Sequence, residues 1–197
     1  MSLIIKTELK VFRNQKNIVI NQVLFTHKDL VERSKLGDRK TQYKLYSLYV
    51  NAMFNVSIRM VKSKEDAEDI LQESFIDAFK NLESFRYEST FGSWLKRIVI
   101  NKSINHLKLK RMPLVAFEDH ENWISEQEDE QIKEEDLDVS SVKLAIKQLP
   151  NGYQTIINLY LIEGYDHVEI GQVLGISTST SKSQYHRAKK KLIALMH

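Results

Sequence analysis

Residues 85–111 read FRYESTFGSWLKRIVINKSINHLKLKR, and the rest of the chain is best understood from this stretch outward. A polar loop, Arg86 to Thr90, leads into a helical segment that begins near Phe91 and ends before Pro113. At 3.6 residues per turn each step rotates the helix by roughly 100°. On that wheel Trp94, Arg97, Asn101, Asn105 and Lys108 fall within an arc of about 80°. Leu95, Val99, Ile100 and Leu107 spread over the opposite side, with Ile104 at its edge; Phe91 and Ile98 border the polar arc. One face is built to pack. The other carries an aromatic ring, two amides and two cations, groups that stack on unpaired bases, read base edges and meet phosphates. The same face also fits an ordinary solvated helix with Trp94 buried in the core, and this helix alone does not choose.

A chain of 197 residues corresponds to one or two domains with modest cores. Six glycines and two prolines point to a mostly helical protein with few turns. The absence of cysteine excludes disulfides, thiolate metal sites and a thiol nucleophile. No apolar run approaches the roughly eighteen residues of a membrane span, and the start lacks a signal-peptide core, so a cytoplasmic protein is expected. The net charge of +3 hides its arrangement. Residues 26–117 are net +6 and residues 139–197 net +4, whereas residues 118–138 hold eleven acids and one lysine, Lys133. Two basic blocks around an acidic strip suggest a polyanionic partner from which the strip is held apart.

Residues 1–25 show no firm period and read as an extension. A short helix is expected from Lys28 to Leu36, closed by Gly37, and a second from about Arg39 to Val61. Ser63 offers an N-cap to a third, whose first turns are acidic and suit the positive end of the helix dipole. Ala67, Ile70, Leu71, Phe75, Ala78 and Phe79 form its apolar stripe. Its other face shows Asp66, Asp69, Gln72, Glu73 and Asp77, which is either a solvated face or a docking surface for a basic protein. Residues 118–138 self-repel and lack helical period, so they read as a flexible linker, an inert tether or an acidic strand in a basic channel.

After the linker, Ser140 or Ser141 can cap a helix containing Val142, Ala145, Ile146 and Leu149, stopped by Pro150. Another is expected from Tyr153 to Glu163 with Tyr153, Ile156, Ile157, Tyr160 and Leu161 inward, ended by Gly164. Asp166 and Glu169 have capping-box spacing at the head of a short helix that ends at Gly175. A basic helix then starts, capped by Ser177 or Thr178. Helix, glycine-bearing turn and basic helix make a helix-turn-helix pattern. Ser181, Tyr185, Ala188, Leu192 and Leu195 line the expected core side of the last helix. Ser179, Thr180, Ser183, Arg187, Lys190 and Lys191 line the outer side, with Gln184 beside them. Short polar residues at its start can meet bases and the later cations phosphates.

In this order and spacing, the segments resemble a bacterial sigma factor of the extracytoplasmic-function group of the sigma-70 family. EDAEDILQESFIDAF resembles the segment that holds the clamp of the polymerase's largest subunit. Residues 85–111 resemble the segment that melts the promoter and reads its minus-ten element. LPNGYQTIINLYLIEGYDHVEIGQVLGISTSTSKSQYHRAKKKL resembles the minus-thirty-five-reading domain. The resemblance implies an all-α protein of two small helical domains joined by a flexible acidic linker, the C-terminal one a helix-turn-helix. Its parts would be an extension (1–25), a region 2-like domain (26–112), the linker (113–138) and a region 4-like domain (139–197). It further implies clamp docking through Asp66, Asp69, Gln72 and Glu73. Base capture by Arg86, Tyr87, Glu88, Ser89 and Thr90 follows on the same basis, as do melting and minus-ten reading through Trp94, Arg97, Asn101, Asn105 and Lys108. Ser179, Thr180, Lys182, Ser183, Gln184, Arg187 and Lys190 would meet the minus-thirty-five duplex. The implied partners are core RNA polymerase (its clamp and flap region), promoter DNA and an anti-sigma protein, with no small-molecule substrate.

The chain departs from the family's usual pattern in four places. Gly171 replaces a small alanine-like residue, and Ser181 replaces valine, which is expected to loosen the seating of the recognition helix. Gln184 stands where arginine is common, favouring adenine over guanine. Residues 1–25 have no counterpart. Two other classes compete. A helix-turn-helix regulator with a sensor domain would need a strand-helix alternation that the sequence lacks. A nuclease would need convergent carboxylates or histidines, but the acids lie on a helix flank and in the linker. The six histidines, at 27, 106, 120, 167, 186 and 197, have no ligand spacing. No catalysis, metal or cofactor is expected.

Overall fold

The computed structural model describes residues 26–110 and 139–196, and among these it contains eight α-helices and no strand. The expectations for residues 1–25 and 113–138 lie outside the described residues. The chain divides into two compact units, with the boundary between Ser103 and Ile104, inside the fourth helix.

In the first unit, α1 (Lys28–Lys35) folds back onto α2 (Arg39–Val61) through Gly37, whose φ of +83° suits a residue without a Cβ. Asp38 caps α2 by accepting from the amides of Lys40 and Thr41 at 2.9 and 3.3 Å. Ser34 donates to Thr41 at 3.0 Å, so two buried hydroxyls satisfy each other between the helices. Ser63 caps α3 (Lys64–Lys80), accepting from Asp66 N at 3.2 Å. Of the expected α3 stripe, Ala67, Ile70, Leu71, Phe75 and Ala78 are buried against the core that Leu45, Met53 and Val56 of α2 enter, while Phe79 is half-buried. Leu48 and Ala52 share the α2 spacing but are exposed. A 3₁₀ turn (Leu82–Ser84) and the loop 85–90 lead into α4 (Phe91–Leu109). On the first unit's part of α4, Leu95, Val99 and Ile100 are fully buried; Ile104 and Leu107, beyond the boundary, are nearly so. Burial of each such side chain stabilises by roughly 1.5–3 kcal/mol, which is ample to fix the rotation of α4.

In the second unit, α5 (Val139–Gln148), α6 (Asn151–Ile157), α7 (His167–Leu174) and α8 (Thr178–Ala194) surround a core of Ala145, Ile146, Leu149, Tyr153, Ile157, Ala188 and Leu192. Two expectations need correction. First, α5 begins at Val139, which places Ser140 and Ser141 inside its first turn rather than at the cap. Second, the helix expected from Tyr153 starts at Asn151 and passes into a π turn over Asn158–Ile162. There the Glu163 amide donates to the Asn158 carbonyl, five residues back, at 2.9 Å. The wider turn takes up an extra residue and moves the side chains beyond it off the 3.6 register. Leu161 is therefore 53% exposed, against the expectation, while Leu159 is buried.

The second unit's turn chemistry agrees with the spacing. Asp166 and Glu169 form a complete capping box at the head of α7. Gly175, at φ +76°, closes it, and Ser177 caps α8 by accepting from Thr180 N.

Candidate nucleic-acid interfaces

Because the floor of α4 is buried, its other face is placed in solvent. Arg97, Asn101, Asn105 and Lys108 are exposed and Trp94 is half-buried. The indole leans on a cluster of rings, with its centroid 5.3 Å from Phe85 and 5.8 Å from Phe91. Trp94 is thus neither lost in the core, as the bland reading of the sequence allowed, nor projecting freely. Rings packed at such offsets hold the indole in place. Thr90 closes the loop against the helix: its Oγ1 accepts from Ser93 N at 3.1 Å and meets Ser93 Oγ at 2.8 Å. Arg86 and Glu88 point outward, while Tyr87, Ser89 and Thr90 are half-buried.

On α3, Asp69, Gln72 and Glu73 are exposed along one face, with Asp66 half-buried at its start. Ile76, three and four residues beyond Glu73 and Gln72, is 52% exposed on this face. Lys102 of α4 reaches Asp77 at 2.8 Å and Glu73 at 3.2 Å, which ties α3 to α4. The hydrogen bond to Asp77, ahead of the cost of burial, raises the lysine's pKa and lowers that of Asp77. Lys102 was not among the expected functional residues; it sits one position from Asn101, but its ammonium is engaged with the acids of α3.

On α8, Ser179, Lys182, Ser183 and Lys190 are exposed, and Thr180 and Arg187 half-buried. Gln184 departs from the expectation. It is only 7% exposed, because on the wheel it lies three residues after Ser181 and four before Ala188, both fully buried. It belongs to the seating of the helix, so the inference of an adenine preference has no support from its position. Ser181 takes a polar part in the seating: its hydroxyl lies 3.0 Å from His167 Nδ1 at the head of α7. His167 stacks on Tyr160 with 4.7 Å between centroids, and Tyr160 meets Tyr185 of α8 at 4.4 Å. Burial, and secondarily the charge of Lys182, depress the pKa of His167, so the neutral imidazole is the favoured form. Gly171 is where α7 meets the turn before α8, and a Cβ there would lie 2.8 Å from the Ile176 carbonyl oxygen. Only glycine admits that approach.

Among the described residues no group of three or more His, Asp or Glu could hold a metal ion, and no helix is long and apolar enough to cross a membrane. The arrangement offers two solvent-facing helices rich in donors and cations, and an acidic helix face with one exposed apolar residue.

Two family models match the chain: Sigma-70 region 2 over residues 45–111 and Sigma-70, region 4 over residues 140–192. The chain is 30% identical over 175 residues to the ECF RNA polymerase sigma factor SigW of Bacillus subtilis, covering 84% of this chain and 94% of the relative. It is 33% identical over 177 residues to the ECF RNA polymerase sigma-E factor of Haemophilus influenzae, covering 85% and 93%. A solved structure of the sigma factor RpoE, in complex with the anti-sigma factor NepR from Bartonella quintana, shares the fold. It has a TM-score of 0.50 and 21% identity, over 78% of this chain and 94% of that one.

Proposed function

The chain belongs to the sigma-70 family of transcription-initiation factors, in its extracytoplasmic-function group, and on that premise we propose how its residues divide the work. Residues 26–112 act as the unit that docks on core RNA polymerase and opens DNA. Residues 139–197 act as the unit that reads the upstream duplex, and residues 113–138 tether the two. Asp66, Asp69, Gln72 and Glu73 meet a basic groove on the polymerase clamp. Charged rims of this kind steer and orient a partner more than they supply affinity, so exposed Ile76 in their midst is a natural apolar anchor. Trp94, Arg97, Asn101, Asn105 and Lys108 meet the minus-ten strand, and the loop Arg86 to Thr90 receives an unpaired base. Ser179, Thr180, Lys182, Ser183, Arg187 and Lys190 meet the minus-thirty-five duplex, the serines and threonine near base edges and the cations on phosphates.

The observation that carries this reading is the α4 face: a ring, two amides and two cations exposed or half-exposed above a floor of fully buried aliphatic residues. Magnitudes set the limit of what it does alone. Opening about ten base-pair steps costs on the order of 14 kcal/mol at a mean near 1.4 per step. One or two stacked bases return about 1–3 kcal/mol each. Core polymerase therefore provides most of the balance, and the chemistry is left to it. It works in the cytoplasm beside the polymerase, without cofactor or small-molecule substrate. An anti-sigma protein that covers the two DNA-facing helices and the α3 face would silence it.

Transcription reconstituted from the purified chain and core polymerase tests this reading. Initiation at defined sites is expected, with the chain alone giving no stable open complex. A stable bubble formed without polymerase, or transcription no more selective than that of core polymerase, would refute it.

A further inference from the structure

Tyr87 has a φ of +60°, in the left-handed region that residues with a Cβ seldom adopt. Such a conformation persists only where surrounding contacts over-determine it. The contacts come from α1, fifty-five residues earlier in the chain. The Tyr87 hydroxyl donates to the Glu32 carboxylate. Lys35 joins that carboxylate at 3.0 Å, donates to the Phe85 carbonyl at 3.4 Å, and lies 5.2 Å from the centre of the Tyr87 ring. Lys28 sits over the same ring at 5.8 Å. Lys28, Glu32 and Lys35 are spaced by four and three residues, so they form a single stripe along α1. The Lys35 side chain is only 13% exposed, which is unusual for a lysine and marks it as part of the packing. On its other side the Tyr87 ring rests 4.7 Å from Phe85, and Phe85 in turn touches Trp94 at 5.3 Å.

We propose that this α1 stripe is a clasp for base capture: Glu32 and Lys35 are positioning residues that hold Tyr87 in its left-handed conformation and so set the shape of the loop from Arg86 to Thr90. The inference rests on the reading of that loop as the receiver of an unpaired base. The clasp acts on both ends of the loop's first step. Lys35 fixes the carbonyl of Phe85, and the Glu32 carboxylate fixes the hydroxyl of Tyr87. Between them the backbone of Arg86 has little freedom, and Arg86, Glu88 and Ser89 are presented from a rigid platform rather than from a mobile turn. Preorganisation of this kind saves ordering entropy when a ligand is bound. The Tyr87 bond holds Glu32 as the carboxylate, ahead of the help from Lys35, so the clasp stays charged at neutral pH. Glu32 itself touches no nucleic acid in this scheme.

The test uses the holoenzyme formed from the full chain and core polymerase, on the nontemplate strand of a promoter it is shown to use. Each base of the minus-ten region is replaced in turn by an abasic site, and binding of the single-stranded oligonucleotide is measured. The unaltered chain is expected to show one or two positions where loss of the base weakens binding. Tyr87→Phe removes only the hydroxyl and Glu32→Gln only the charge. Each is expected to shrink the penalty at a captured position by roughly five- to tenfold, the net scale of one ordinary hydrogen bond, since this one is exposed. Affinity for core polymerase and the melting temperature of the chain stay unchanged. Tyr87→Gly, which relieves the backbone strain and removes the ring, is expected to lose the discrimination as well. If the unaltered chain shows the penalties and Tyr87→Phe and Glu32→Gln both keep them, the clasp is refuted while base capture stands, whatever Tyr87→Gly does. Loss of polymerase binding in step with the penalty would reduce Glu32 to a structural residue and also refute it. If the unaltered chain shows no position dependence, base capture itself fails, and the clasp with it.

Discussion

The two DNA-facing helices rest on different foundations. Beneath α4 lie Leu95, Val99 and Ile100, all fully buried, with a single buried hydroxyl, Ser103, bonded back to the Val99 carbonyl of its own helix. Beneath α8 the seating is partly polar: Ser181 against His167, Gln184 inside, and the rings of Tyr160 and Tyr185 closing the gap. An apolar floor is indifferent to pH and tolerates little loss of volume. A polar seat is directional, depends on protonation, and is held by fewer large side chains. The pattern suits the proposed division of work, in which α4 must resist the disturbance of strand separation while α8 meets an intact duplex.

The largest effect expected of that contrast is in the first floor. Leu95→Ala removes a fully buried side chain, and should cost about 2–5 kcal/mol. Denaturant unfolding followed by hydrogen exchange should show the loss concentrated in the amides of α2 to α4. A loss shared equally with α7 and α8 would mean that the two foundations are not independent. Next comes Gly171→Ala, whose Cβ would press on the Ile176 carbonyl oxygen at 2.8 Å. The backbone must shift, and a cost of about 1–3 kcal/mol is expected, confined to the second unit. An unchanged melting profile for α7 and α8 would show that the turn has more room than its geometry indicates.

The smallest effect separates the two by pH. Because burial depresses the folded-state pKa of His167, the unfolded chain takes up this proton at a higher pH than the folded one. The stabilisation is complete above the ordinary histidine range, near about 6.5, and is lost as pH falls through that range towards the lower folded value. Lys182 strengthens the trend and Asp166 opposes it. Between pH 7.5 and 6 the protection of α7 and α8 amides should fall slightly, that of α2 and α3 should not, and His167→Gln should remove the difference. Equal pH response in both units would contradict the assignment to this seat.

How far these features could be read in advance depended on how local they were. The α3 stripe, the Ser63 cap and the Asp166–Glu169 box repeat at helical spacing, so periodicity and capping chemistry suffice to place them. The π turn could not be read this way, since a wheel assumes an unchanging 3.6 residues per turn; the exposure of Leu161 follows from that assumption failing at Asn158. Gln184 was misplaced for a different reason: polarity outweighed an angle that already set it between Ser181 and Ala188. The tie between Glu32 and Tyr87 was out of reach altogether, because it joins two stretches that no local pattern relates. Lys102 was similarly hidden. No local pattern relates it to Glu73 and Asp77, the acids of α3 that it meets in the fold.

The most direct test of the central claim, that the open face of α4 works on DNA while its floor only holds it there, is promoter opening by the reconstituted holoenzyme with Trp94→Ala and Asn101→Ala. The account predicts unchanged binding to core polymerase and unchanged folding, with opening reduced roughly tenfold or more for Trp94→Ala, the scale of one lost base stack, and less for Asn101→Ala. Normal opening by both variants would contradict it.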